Sequence, residues 1–291
     1  MFDAGTLLAA QRIASPVLDG FFSVVTNLGH EYSYIALLLF FYWCVDREAG
    51  RGLVILFLVS MWLNGWLKEI FALPRPSAAD GVRVLATEES HGFPSGHAQG
   101  AVTLWGFLAF YRRSWAWRAA CVAIVALIGF SRLYLGAHFL GDVLGGFVVG
   151  GLMLAAYFAL ASRRVGATWP RWVKGALAFV VPVVLMPVYD DDVAYKTLGF
   201  LFGFLVSTHF AGEAFAYAPP AGALRKSAAY LVGLAGVGVL RVVERLLPEG
   251  PPEALGFAAI SVWAAVLAPR LFSALGLASG RQEGSSWQVQ Q

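Results

Sequence analysis

Long apolar stretches, separated by short polar breaks, run through almost the whole chain. Nine of them are candidate membrane spans at roughly 20 residues each: 27–45, 52–71, 97–111, 116–135, 138–161, 173–189, 194–212, 229–247 and 254–275. The third is short and opens at a polar motif. The sixth holds Pro182 and Pro187, which predicts a kink. The first 26 residues behave differently: Leu7, Leu8, Ile13, Val17, Leu18, Phe21 and Phe22 alternate with Asp3, Gln11, Arg12 and Asp19. That pattern predicts an amphipathic helix lying in the interface, with a short helix packed on the domain as the alternative. After Gly276 the chain turns polar, and a disordered tail is expected. The resulting fold class is all-α, a polytopic transmembrane helix bundle of about nine spans with an N-terminal interfacial helix. Its parts are the N-terminal segment 1–26, a core at 27–162, additional spans at 163–275 and the tail 276–291.

Composition agrees. The chain is 58% hydrophobic and 13% charged, with a mean hydropathy of +0.67, whereas soluble domains carry about 25% charged residues. The net charge of +3 includes no basic run long enough for nucleic acid. Cys44 and Cys121 sit inside apolar stretches and read as packing residues, so no metal site and no cofactor is expected from them. Met1 to Asn27 lacks a basic segment followed by an apolar core, so targeting is expected from the first span. Two basic loop clusters, Arg112, Arg113 and Arg118, then Arg163, Arg164, Arg171 and Lys174, are expected in the cytoplasm. Alternate loops then face outward, with the N-terminus outside and the C-terminus inside.

Three polar clusters fall on that outward side. The first is Lys68 with Arg75, the latter held between Pro74 and Pro76. Arginine offers a planar fork of donors suited to phosphate and lysine a point charge, although two cations snorkelling to an interface would look the same. The second is Pro94-Ser95-Gly96-His97 at the start of an apolar helix. A helix N-terminus suits an anion, Gly96 permits close backbone approach, and Ser95 can cap the helix and donate to a phosphate oxygen; taken alone, the cluster reads equally as a plain serine cap with a surface histidine. The third places Arg132, His138 and Asp142 in a stretch otherwise fit for lipid, where ionisable groups signal function. The spacing of four puts His138 and Asp142 on one helical face, so the carboxylate can orient the imidazole as a nucleophile, with a buried Arg–Asp pair and a structural histidine as the alternative.

Together, Lys68-x6-Arg75-Pro76, Pro94-Ser95-Gly96-His97 and Ser131-Arg132-x5-His138-x3-Asp142 resemble the three-part signature of the type 2 phosphatidic acid phosphatase superfamily. The resemblance covers roughly residues 60 to 150. It implies a metal-independent phosphatase in which His138 attacks phosphorus to form a phosphohistidine and Asp142 orients it. His97 would protonate the leaving oxygen and then activate water. Lys68, Arg75, Ser95, the Gly96 amide and Arg132 would hold the phosphoryl oxygens. Nine spans and an external N-terminal segment look like the sphingosine-1-phosphate phosphatase and glucose-6-phosphatase branches, and Asn27-Leu-Gly-His-Glu-Tyr-Ser-Tyr followed by Tyr42-Trp43-Cys-Val-Asp46 is more like the former.

The expected function is a phosphohydrolase acting on a lipid phosphate or diphosphate, with membrane lipids as surroundings and the site facing the periplasm or exterior of a bacterial inner membrane. Alternatives are a phosphotransferase to a lipid or sugar acceptor, a lipid transporter or scramblase, and a vanadate-dependent haloperoxidase, the last disfavoured by the membrane setting. Glu88, Glu89 and His91 read as solvated loop residues, with gating or a headgroup contact as the alternative. His30 with Glu31 carries the same ambiguity. His209 with Glu213 reads as a structural polar pair, and Glu244 with Arg241 and Arg245 as a local ion-pair set.

Overall fold

The computed structural model describes residues 2–211, 217–248 and 250–280. Each apolar stretch becomes helical. The helices are α1 (Gly5–Gln11), α2 (Pro16–Asn27), α3 (Glu31–Cys44), α4 (Arg47–Phe71), α5 (Gly96–Tyr111), α6 (Trp115–Tyr134), α7 (Leu140–Ser162), α8 (Arg171–Leu185), α9 (Asp192–Ala211), α10 (Ala223–Glu244) and α11 (Pro251–Val262). A π-helical turn at Trp263–Leu267 carries α11 into α12 (Ala268–Ala274). A short antiparallel pair, Tyr217–Ala218 (β1) with Ser279–Gly280 (β2), sets Tyr217 opposite Gly280. The start of the expected tail is therefore paired, and the rest of it, like Glu213, lies outside the described residues.

Among the described residues, six helical runs are long and apolar enough to cross a membrane: α4, α6, α7, α8 with its 3-10 extension, α10, and α11 through α12. Six of the roughly nine expected spans thus stand out by length and composition alone, and the count of nine is approximate. The 14 residues of α3 rise only about 21 Å, short of a hydrocarbon core of about 30 Å. Pro182 sits inside α8 without ending it, and Pro187 falls in the 3-10 turn that follows.

The N-terminal segment is two helices rather than one. The break falls before Pro16, which occupies the first turn of α2 while the Ser15 side chain accepts from the Leu18 amide. Leu7 and Ala10 pack with Val82, Ala98, Leu133, Phe139 and Val143. Phe22 and Val25 pack with Tyr134 and Leu135. Val17, Phe21 and Val24 point outward. The pair thus buries one apolar face in protein and leaves another exposed.

The chain forms two compact units. One comprises the chain up to Ile35 with Leu63–Ala159, and it contains α1, α2, the end of α4, and α5 to α7. The other comprises Ala36–Trp62 and the chain from Leu160 onward. Its core includes Trp43, whose indole donates to the Ala264 carbonyl at 2.8 Å. Its ion pair of Arg241 with Glu244 is present at 2.6 Å. All three polar clusters lie in the first unit.

Candidate active site

Lys68 lies in the last turn of α4 and is buried. Its ammonium donates to Ser90 Oγ at 3.1 Å and to the His91 carbonyl. Arg75 follows in the loop and spreads its fork over several acceptors. Nε donates to the Ser90 carbonyl at 2.6 Å, and Nη2 to Glu88 Oε2 at 2.8 Å and Ser90 Oγ at 3.1 Å. Nη1 donates to the Ala137 carbonyl at 3.0 Å and lies 2.9 Å from His138 Nε2.

Ser95 caps α5. Its hydroxyl accepts from the Ala98 amide at 3.4 Å, and its own amide donates to the Asp142 carbonyl at 3.0 Å. Gly96 starts the helix against Asn64, whose Oδ1 lies 3.1 Å from where a Cβ would stand. The Asn64 amide donates to the Pro94 carbonyl at 3.2 Å and to Gln99 Oε1 at 2.8 Å, tying α4 to the start of α5. His97 follows, with Nδ1 3.6 Å from Glu88 Oε1.

Arg132 is buried near the end of α6. Its Nη1 donates to Thr26 Oγ1 at 2.7 Å and its Nη2 to Glu88 Oε1, while Nε has no hydrogen-bond partner among the described residues. The chain then turns through Gly136, whose positive φ of 68° favours glycine. The spacing of His138 and Asp142 suggests a helical pair, but His138 precedes α7 and only Asp142 is on it. The contact forms through the helix start instead. Asp142 Oδ2 accepts the Phe139 amide at 2.9 Å and lies 3.3 Å from His138 Nδ1. Both side chains are fully buried, and Asp142 Oδ1 has no hydrogen-bond partner among the described residues.

Lys68, Arg75, Ser95, Gly96, His97, Arg132, His138 and Asp142 therefore belong to one network within one unit. Glu88 joins it, contrary to its reading as a solvated loop residue. Its carboxylate bridges Arg75 and Arg132. Burial pushes this carboxyl up, but the charges of Arg132, His97, Arg75 and Lys68 outweigh burial and hold it at about 2. Thr26, Asn64 and Ser90 were also missed. Asn64 carries a sequence signal, a polar residue one turn before Lys68 in an apolar helix. Thr26, 106 residues from Arg132, carries none. Chemically, three cations converge on the acceptors of Glu88, Ser90 and His91, as they would on an anion, and one imidazole has a carboxylate on its Nδ1 side.

Residues 49–165 match the PAP2 superfamily. Phosphatidylglycerophosphatase B of Bacillus subtilis (strain 168) is 34% identical over 163 residues, 50% of this chain and 76% of that protein. The chain belongs to the PAP2 superfamily. Residues 195–280 of this PAP2 protein match the PAP2 superfamily phosphatase, transmembrane extension, which accounts for the helices from α9 onward. Lipid phosphate phosphatase delta of Arabidopsis thaliana is 28% identical over 231 residues, 68% of this chain and 54% of that protein. Sphingosine-1-phosphate phosphatase 1 of Mus musculus is 32% identical over 157 residues, 51% of this chain and 36% of that protein. The chain thus spans about half or less of the length of these two relatives. The crystal structure of Aquifex aeolicus LpxE has a TM-score of 0.50 at 25% identity, covering 55% of this chain and 96% of that one. The PAP2 protein is an integral membrane protein, on its apolar helices and its transmembrane extension.

Proposed function

We propose that this PAP2 protein hydrolyses a phosphorylated membrane lipid, monoester or diphosphate, without a metal and through a phosphohistidine at His138. The observation that carries the reading is the environment of His138. Nδ1 faces Asp142 at 3.3 Å, which leaves Nε2 as the nitrogen beside Arg75 at 2.9 Å. The lone pair of Nε2 attacks phosphorus as the bond from phosphorus to the leaving oxygen breaks. His97 gives that oxygen its proton. It then takes a proton from water, which cleaves the N–P bond and releases inorganic phosphate. Lys68, Arg75 and Arg132 neutralise the phosphoryl oxygens, with the Gly96 amide and Ser95 at the α5 N-terminus. The basic loops support a site on the outer face of the membrane, and the exposed Val17, Phe21 and Val24 support an interfacial position for α2.

The test is phosphate release from a panel of lipid phosphates by purified protein in detergent with EDTA. Release is expected with EDTA present and is abolished by His138→Ala. No release from any lipid phosphate would point to a transporter, and consumption in proportion to an added alcohol acceptor to a transferase.

A further inference from the structure

We infer that Glu88 is the resting occupant of the phosphate cradle: its carboxylate takes the place of a phosphoryl group between Arg75 and Arg132, an incoming phosphate displaces it, and Glu88 thereby sets the affinity of the site for anions. The inference rests on the phosphatase reading of the same site, and extends it to a residue outside the three signature motifs.

The first support is which donors Glu88 engages. Oε2 accepts from Arg75 Nη2 at 2.8 Å, Oε1 accepts from Arg132 Nη2, and His97 Nδ1 lies 3.6 Å from Oε1. These are three of the groups a bound phosphate would use. Neighbours of Glu88 take more of the same donors: Ser90 Oγ and the His91 carbonyl accept from both Lys68 and Arg75. The loop thus fills the cradle as a set.

The second support is an imperfect fit. Arg132 is 1% exposed, yet its Nε has no hydrogen-bond partner among the described residues. Glu88 spans the two arginines with one oxygen on each, Oε2 on Arg75 and Oε1 on Arg132 Nη2, and in that position neither oxygen reaches Arg132 Nε. A phosphoryl group brings three, so it can serve the two arginines and still offer an acceptor to the orphaned N–H.

The third support is mechanical. The loop is fastened on both sides of Glu88. Upstream, Arg83 pairs with Asp19 at 2.7 Å and the Leu85 amide donates to the Leu135 carbonyl at 2.8 Å. Downstream, the Gly92 amide donates to the Leu73 carbonyl at 2.8 Å. Between these fastenings, Ala86 packs against the Phe22 and Tyr134 cluster, and Glu88, Ser90 and His91 are held to the site through the cations themselves. Exchange of Glu88 for phosphate therefore needs a local opening and leaves the helices in place.

The test uses the full chain in detergent and orthovanadate as the phosphate-shaped probe, with binding measured by calorimetry and phosphate release measured on the same samples. If the cradle is vacated in about a tenth of molecules, occupation weakens anion binding about tenfold. Glu88→Gln should then bind vanadate about tenfold more tightly than the parent. Glu88→Asp keeps the charge but shortens the reach, and it should also bind more tightly than the parent. Unchanged or weaker binding by Glu88→Gln would overturn the inference. So would a Glu88→Asp indistinguishable from the parent beside a tighter Glu88→Gln, because simple charge repulsion would then explain the gain. Tighter binding without phosphate release sinks the phosphatase reading alone; release without tighter binding sinks the role of Glu88 alone.

Discussion

His138 Nδ1 lies 3.3 Å from Asp142 Oδ2, and neither side chain reaches solvent. The contact assigns different jobs to the two ring nitrogens, one held by the carboxylate and one facing the cationic side of the site. Asp142→Asn keeps an oxygen for the Phe139 amide, so the helix start survives. It removes the charge that favours the nucleophilic tautomer. Turnover of a lipid phosphate should fall between about a hundredfold and ten-thousandfold with KM little changed, and the melting temperature should stay near the parent's. A variant with parental kcat would show that the carboxylate does not orient the nucleophile.

Arg75 touches Glu88, Ser90, His91, Ala137 and His138 with three nitrogens. Lysine retains the charge but not the fork. Arg75→Lys should therefore lose on the order of a hundredfold in kcat/KM, and steady-state phosphate release at fixed ionic strength checks it. Parental kcat/KM in the lysine variant would mean that only net charge matters at this position.

The site was legible in the sequence where its residues are costly in their setting. Lys68, Arg132, His138 and Asp142 stand out because an apolar stretch makes each an exception. Glu88 does not stand out, because a carboxylate in a polar loop costs nothing, and only the fold returns that loop to the cations. Thr26 is hidden for a related reason: a hydroxyl near a helix end has many uses, and its partner is 106 residues away. The His138–Asp142 contact was legible but its geometry was not, since a spacing of four fits both a helical face and a residue just before a helix start. The bundle was legible as apolar stretches. The length of each helix was not, because caps such as Ser95 and Ser114 set the starts.

Gly146 and Gly151 on α7 form a matched pair. A Cβ on Gly146 would lie 2.5 Å from the Ser95 carbonyl oxygen and 3.0 Å from Ala98 Cβ, whereas one on Gly151 would meet nothing among the described residues within 4 Å. Gly146→Ala must push back the start of α5, which carries Ser95, Gly96 and His97. It should cost about 1–3 kcal/mol and lower kcat. Gly151→Ala should keep kcat and gain up to about 1 kcal/mol from helix propensity. Thermal unfolding and phosphate release on both variants check the pair, and equal effects at the two positions would disprove the packing account.

Glu88 also makes stability depend on pH. Its carboxyl sits at about 2 in the folded protein against an ordinary 4.5. A depressed carboxyl stabilises fully above its unfolded value, and that contribution is lost as the pH falls toward the folded value. The stabilising window therefore opens at about pH 4.5 and closes near pH 2. Glu88→Gln should melt below the parent at about pH 6, and the gap should narrow steadily as the pH drops through that window. The same substitution is expected to tighten vanadate binding, so one residue stabilises the empty protein and weakens its hold on anions. Melting curves that stay parallel from about pH 6 to about pH 3 would mean that the carboxylate between Arg75 and Arg132 adds nothing to the folded state.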